Sequence, residues 1–322
     1  MSRLAIFDGT NQFIRSYSVV PTVNSNGEPN GGMIGFLRSM RMVIGFYKPD
    51  KVIVVFDGAG GSQSRRQVNK DYKAGRKPRR PAVNADLINV EENFRWQFVR
   101  LFEYIEDLPI HKLIIENVEA DDVISYVANW FKNDEKIIIS SDRDFYQILD
   151  DKTSIFNPTK RKFTTKQDCI EEFKIYPHNF VIARSIIGDG SDNLNGVKGI
   201  GYKNILKYFP FLSGAEKVSI SDVFKLCNEK INDQRYKKFI DNEQKIKQNY
   251  TLMQLEQTII SIPGQQKIDF ILSKNTTLNL TSFKLKLMKD SITIINDKNF
   301  FDSFRGLVSR RPDGATTEKH QV

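Results

Sequence analysis

Glu119-Ala120-Asp121-Asp122 and, some twenty residues on, Asp142-Arg143-Asp144 gather five carboxylates into two tight groups. Each group follows a short branched-aliphatic run, Leu113 to Ile115 and Ile137 to Ile139, and in the same way Leu4 to Phe7 leads into Asp8 and Val52 to Phe56 into Asp57. Runs of this kind read as buried parallel strands joined by segments of helical period. In an open α/β sheet the carboxyl ends of the strands face one crevice, so four strands deliver acids to one rim. Carboxylates crowded within about 4–5 Å repel by roughly 3–4 kcal/mol per pair at an effective dielectric of about 20. Either several are protonated or cations lie among them. Hard oxygen donors with no nearby Cys or His select Mg²⁺ or Mn²⁺ over zinc. Taken singly, each acidic pair reads equally as a solvated turn or a helix N-cap; its repetition after successive strands is what favours a shared metal site.

The elements that must hold these acids can be read from the pattern of apolar residues. Gly32 to Tyr47 places Met33, Phe36, Leu37, Met40, Val43 and Ile44 at helical spacing, and Asp86 to Leu108 does so with Leu87, Val90, Phe94, Phe98, Leu101, Phe102 and Ile105. Both are expected to be helices packed on the sheet. Glu119 and Asp122, at i and i+3, share one face of a helix's first turn, where the macrodipole favours negative charge. After Asp57 the texture changes. Lys and Arg dominate from Arg65 to Arg80, around Tyr72, and Gly and Pro break the stretch too often for a long helix. A basic run is commonly a solvated surface; following a proposed metal ligand and holding an aromatic, this one is read as a mobile segment over the crevice that grips phosphates and stacks an unpaired base. Further on, Ile182 to Ile187 reads as helix, and Gly196-Val197-Lys198-Gly199-Ile200-Gly201-Tyr202-Lys203 makes tight turns whose N–H groups can meet a phosphate.

The chain has 322 residues, 40% of them hydrophobic, and a net charge of +9. That is enough for one large domain with an appended one. A basic body around an acidic crevice suits an enzyme that holds a polyanion and cuts it with metals. Cys169 and Cys227 lack metal-ligand spacing and read as packing residues in a reducing compartment, while His111, His178 and His320 are too scattered for a catalytic triad. With no charged-then-apolar leader and no membrane-length apolar run, a cytoplasmic enzyme is expected.

From Asp8 to about Phe209 these blocks together resemble the 5′-nuclease family: bacteriophage 5′–3′ exonucleases, the RNase H of T-even-like phages, flap endonucleases and the 5′-nuclease domain of bacterial DNA polymerase I. Strand-Asp8-Gly9 with Arg15, Phe56-Asp57-Gly58, Tyr72-Lys73 with Arg76, the two acidic groups, and Gly188-Asp189 through Asp192-Asn193 into the glycine-rich turns carry the likeness. The resemblance implies a PIN-like (Rossmann-like) α/β fold with a mostly parallel central sheet flanked by helices. Residues 1–175 would be catalytic with a helical arch at about 61–85, 176–213 a helix-three-turn-helix duplex-binding region, 214–308 a helical region, and 309–322 a disordered tail. It implies two Mg²⁺ or Mn²⁺ held by Asp8, Asp57, Glu119, Asp121, Asp122, Asp142, Asp144, Asp189 and Asp192, some through water. Lys73 and Arg76 would act on the reacting phosphate. Arg15, Tyr72, Lys73, Arg76, Arg184, Lys198 and Lys203 would bind nucleic acid, and Val197 and Ile200 a monovalent cation, usually K⁺. Asn195 and Asn204 depart from the Pro and Thr common in the family and bear on that cation site.

The activity expected is Mg²⁺-dependent, structure-selective 5′–3′ exonuclease and flap endonuclease action on RNA primers or DNA flaps in replication, by a monomer acting on DNA and RNA–DNA duplexes with a flap, fork or primer. By the same analogy a sliding clamp or single-strand-binding protein would meet the segment after Ser213. The alternatives are a PIN-type single-strand ribonuclease, which generally lacks the arch and glycine turns, and a non-catalytic fork-binding protein, which would have lost acids.

Overall fold

The computed structural model describes residues 1–76, 79–257, 259–295 and 298–309. In chain order the elements are β1 Arg3–Asp8, α1 Gly9–Val19, α2 Gly31–Tyr47, β2 Lys51–Phe56, α3 Gln63–Val68, α4 Val90–Glu106, β3 His111–Ile114, α5 Ala120–Trp130, β4 Glu135–Ile139, β5 Thr153–Asn157, β6 Lys162–Thr164, α6 Lys166–Phe173, α7 Pro177–Ile187, the short pair β7 Gly188–Asp189 and β8 Leu194–Asn195, and then α8 Ile220–Glu229, α9 Gln234–Ile240, α10 Glu243–Met253, α11 Ile262–Ser273, α12 Leu280–Lys289 and α13 Lys298–Ser309.

The central sheet runs β3-β2-β1-β4-β5-β6, parallel except for β6 at one edge. Its central strands β1, β2 and β4 are buried on both faces, which is why they are continuous apolar runs and not alternating ones. Leu4, Ile6, Ile53, Val55, Leu113 and Ile138 point to one face and pack with α5, α7 and α8 to α11. Ala5, Phe7, Val54, Phe56, Ile137 and Ile139 point to the other and pack with α1, α2, α4, α12 and α13. The buried side chains of the helices after Gly214 therefore complete the two cores of the sheet, where the sequence suggested an appended domain.

Several expected elements shift. The helix expected from Asp86 begins at Val90, because Asn89 caps it by accepting from the N–H groups of Glu91 and Glu92; Leu87 is left outside, 81% exposed. The helix expected at Ile182 starts earlier, with Pro177 at its first turn. In the arch segment the described residues form one short helix, α3, followed by turns, and Lys77 and Pro78 lie outside them. The expected disordered tail lies outside them from residue 310. Among the described residues no helix is long and apolar enough to cross a membrane.

One close approach fixes where the acids of α5 emerge. Gly58, just past β2, donates its N–H to the Val118 carbonyl at 3.0 Å, and a Cβ there would lie 1.8 Å from the Ile115 carbonyl oxygen. Only glycine lets the exit of β2 lie against the loop leading to Glu119. Gly58→Ala is expected to cost about 2–3 kcal/mol by overpacking, read as a lowered urea midpoint; an unchanged midpoint would mean the loop has room to yield.

Candidate active site

Because β2 lies on one side of β1 and β4 on the other, the strand order reverses at β1, and the crevice of such a sheet opens beside that strand. Asp8 ends β1, Asp57 follows β2, and Asp142 follows β4 after Ser140 and Ser141. Glu119 is the N-cap residue of α5, with Asp121 and Asp122 in its first turn. Asp144 opens a 3-10 turn, Asp144–Ile148, and Asp189 and Asp192 come from the β7–β8 hairpin. Oxygens of Asp144, Asp189 and Asp192 all lie within 4.8 Å of one another.

The remaining acids join these through repulsion. Asp142 is the common neighbour, raising the proton affinity of Asp8, Asp121, Asp144 and Asp192. Asp8, 4% exposed, is pushed up to about 7 by burial and then by Asp57, although Ser140 Oγ donates to it at 2.8 Å and the Asn11 N–H at 3.2 Å. Asp144 is pushed up to about 7 by burial and by Asp142, against the pull of Arg184. Burial drives Asp121 well above the usual range, with Lys73 opposing it and Asp142, Asp8 and Glu119 reinforcing it. Asp57 accepts the Ala120 N–H at 2.8 Å, at the start of α5. Asp142 accepts the Asp144 N–H at 2.9 Å, so Asp8, Asp57 and Asp142 all accept from neutral donors.

Cations meet the crevice elsewhere. Arg65, 7% exposed, donates through Nη1 to Glu119 at 2.7 Å and to Asp122 at 2.8 Å. Glu119 also accepts from Lys73 Nζ at 2.8 Å, Ser62 Oγ at 2.6 Å and the Tyr72 phenol at 3.0 Å. Burial would raise Glu119, but Lys73 and Arg65 overcome it and hold the carboxyl at about 2. Arg184 bonds Asp144 and, at 2.6 Å, Asp189; Arg76, half exposed at the mouth, pairs with Asp192.

Two expected nucleic-acid contacts, Tyr72 and Arg184, and the head of the basic run stand differently from the sequence reading. Tyr72 was expected to offer an exposed stacking face, but it is 3% exposed, with its ring in the core and its phenol on Glu119. Arg184 was expected at a duplex phosphate; it is buried between two carboxylates, because α7 faces the 3-10 turn. The basic run was expected as a mobile segment gripping phosphates over the crevice, yet Arg65 at its head is pulled inward by Glu119, Asp122 and the Leu252 carbonyl at 2.9 Å. Arg65 was missed as a site residue because that carbonyl lies far along the chain; its one local sign was its place at the head of the basic run. Arg15 is at the rim, held by Ser141 Oγ at 2.8 Å and by Thr159. Lys198 and Lys203 are exposed on the glycine-rich turns, and Val197 and Ile200 are buried beneath. There Gly199 has φ +80°, and Asn204 clips the turn, accepting from the Gly201 N–H and donating to the Gly199 carbonyl, both at 2.9 Å.

Residues 3–174 match the family model described as 5′-3′ exonuclease, N-terminal resolvase-like domain. The chain belongs to the 5′-3′ exonuclease family. It is 30% identical over 207 residues to the 5′-3′ exonuclease of Buchnera aphidicola, covering 63% of this chain and 68% of that one, and 31% identical over 215 residues to that of Aquifex aeolicus, covering 65% and 70%. It is also 32% identical over 227 residues to DNA polymerase I of Caldicellulosiruptor bescii, covering 67% of this chain but only 25% of the polymerase. In fold it is similar to the bacteriophage T5 D15 protein co-crystallised with metal ions (TM-score 0.63, 22% identity, covering 89% of this chain and 99% of that one). It is likewise similar to human GEN1 in complex with Holliday junction DNA (TM-score 0.56, 13% identity, covering 96% and 72%). As a member of the exonuclease family it is an enzyme that hydrolyses phosphodiesters.

The repulsion in the crevice has a measurable consequence. Asp8 and Asp144, held near 7 against an ordinary 3.8, keep protons in the folded protein that the unfolded chain has already released. Between pH of about 4 and 7 the folded state therefore binds more protons, and stability falls as pH rises, by about 1.4 kcal/mol for each tenfold difference in proton affinity. In chelator the thermal midpoint is expected to be lower at pH 8 than at pH 5, with excess Mg²⁺ removing most of the difference. A chelated protein whose midpoint rises or stays level across that range contradicts this charge balance.

Proposed function

We propose that this exonuclease-family chain is a Mg²⁺- or Mn²⁺-dependent, structure-selective 5′–3′ exonuclease and flap endonuclease acting on RNA primers and DNA flaps, of the kind phages encode as RNase H. The observation that carries the reading is the charge imbalance: nine carboxylates converge and four bonded cations, Arg65, Lys73, Arg76 and Arg184, meet them. The donor set is entirely oxygen, buried or half-buried except at Asp57, and under-neutralised, which fits hard divalent cations. Asp8, Asp57, Asp121 and Asp142 would hold them on one side and Asp144, Asp189 and Asp192 on the other.

Bound there, a pair of such ions supplies a water of lowered pKa and positive charge near the leaving oxygen. The chain's own residues do the rest. Lys73 stays protonated: Asp121, Tyr72 and Glu119 raise its proton affinity against the cost of burial. Its ammonium can thus stand against a non-bridging phosphate oxygen, and Arg76, freed from Asp192, can reach the same phosphate from the mouth. Arg15 lines the rim where the 5′ strand would enter. Lys198 and Lys203 would hold the duplex backbone on the glycine-rich turns, with K⁺ at Val197 and Ile200. Tyr72 and Arg184 enter this proposal as supports of the acids. No side-chain nucleophile is needed, and the products would carry a 5′-phosphate and a 3′-hydroxyl.

Asp142→Ala, which removes the common neighbour of the cluster, is expected to lose turnover by about 10³-fold or more on a 5′-flapped duplex while binding forked DNA within a few-fold of wild type. Cleavage at the wild-type rate would remove the metal assignment. On wild type, faster cutting of free single-stranded RNA than of the flapped duplex would instead favour a single-strand ribonuclease.

A further inference from the structure

α10 lies beyond the segment matched by the family model and contributes none of the nine acids, yet its polar groups brace the crevice from behind. Asn249, 2% exposed, donates to the carbonyls of Ser185 at 3.0 Å and Asn195 at 3.1 Å. Ser185 lies near the end of α7, just before β7, and Asn195 ends β8, so one amide clasps the base of the loop that carries Asp189 and Asp192. At the end of the helix, the Met253 carbonyl accepts from Gln147 Nε2 at 3.0 Å; the same nitrogen donates to the Asp144 carbonyl at 2.8 Å, and Gln147 Oε1 accepts the Leu255 N–H at 2.9 Å. The Leu252 carbonyl accepts from Arg65, the guanidinium that holds Glu119 and Asp122.

These contacts have a common target. Asp144, Asp189 and Asp192, the three acids whose oxygens lie within 4.8 Å of one another, come from two separate loops; α10 bonds directly to the backbone at the base of the β7–β8 hairpin and reaches the Asp144 carbonyl through the Gln147 side chain. Its Leu252 carbonyl holds Arg65, the cation shared by Glu119 and Asp122 of the α5 side. Groups that fix the backbone of ligand residues set ligand separation, and their loss typically costs 10–100-fold in metal affinity. We propose that α10 is a strut that keeps the Asp144–Asp189–Asp192 metal position in register with the Glu119–Asp122 side of the crevice, with Asn249 and Gln147 as its positioning residues. The proposal rests on reading the crevice as a divalent-metal site.

The test is Mn²⁺ binding to the full chain by calorimetry, without nucleic acid, for wild type, Asn249→Leu, Gln147→Ala and the exposed α10 control Thr251→Ala. Wild type and the control are expected to take up two ions with equal affinities. Asn249→Leu and Gln147→Ala are expected to weaken one of the two by 10–100-fold and leave the other within about threefold, and the Mn²⁺ concentration for half-maximal cleavage should rise in step, with rate recovered at saturating metal. A folded variant that keeps both wild-type affinities, or loses both equally, overturns the strut. Gln147 is half-buried, so Gln147→Ala keeps the test available if Asn249→Leu does not fold. Wild type that binds no Mn²⁺ would refute the metal reading itself.

Discussion

The constraint on which this structure depends is the mutual repulsion of carboxylates brought together at the carboxyl ends of parallel strands. Unit charges about 4.8 Å apart repel by roughly 3–4 kcal/mol at an effective dielectric of about 20, and Asp142 alone acts on four neighbours. The fold withstands this in three ways. It buries Arg65 and Arg184 as fixed counter-charges, it leaves protons on Asp8 and Asp144 near neutrality, and it supports the remaining acids with backbone N–H groups such as that of Ala120.

The counter-charges divide the crevice. On the α5 side Glu119 and Asp122 are tied to Arg65 and Lys73, so they are already neutralised and act as an anchor for the basic segment. Lys73 also donates its backbone N–H to the Asp192 carbonyl at 3.1 Å, and Asn193 donates to the Asp71 and Ala74 carbonyls at 3.2 and 2.7 Å. The basic segment and the β7–β8 hairpin therefore share bonds at the crevice mouth, and α10 joins them again from behind. Between them, Asp8, Asp57, Asp121 and Asp142 remain the under-compensated centre where divalent charge has most to gain.

Much of this was legible in the sequence because it was written in local pattern. Branched-aliphatic runs ending in Asp8, Asp57 and the Asp142 group announced strands whose ends share a crevice, and the spacing of Glu119 and Asp122 announced a helix start. What could not be read depends on partners far along the chain. Arg65, Tyr72 and Arg184 look like surface groups until α10, α5 and the Asp144 turn close around them. Leu87 has the right spacing for a buried helix position, but capping by Asn89 outweighs periodicity and leaves it in solvent. The helices after Gly214 show only an amphipathic pattern, and amphipathicity does not say that their apolar faces complete both cores of the sheet.

The most direct test of the central claim is anomalous diffraction from crystals of the full chain soaked in Mn²⁺. The account predicts anomalous peaks in the crevice, within carboxylate bonding distance of residues from both the Asp8–Asp142 side and the Asp144–Asp189–Asp192 side. A crevice empty of anomalous density at saturating Mn²⁺, with its acids still converged, would show that protons and buried cations alone hold these charges together.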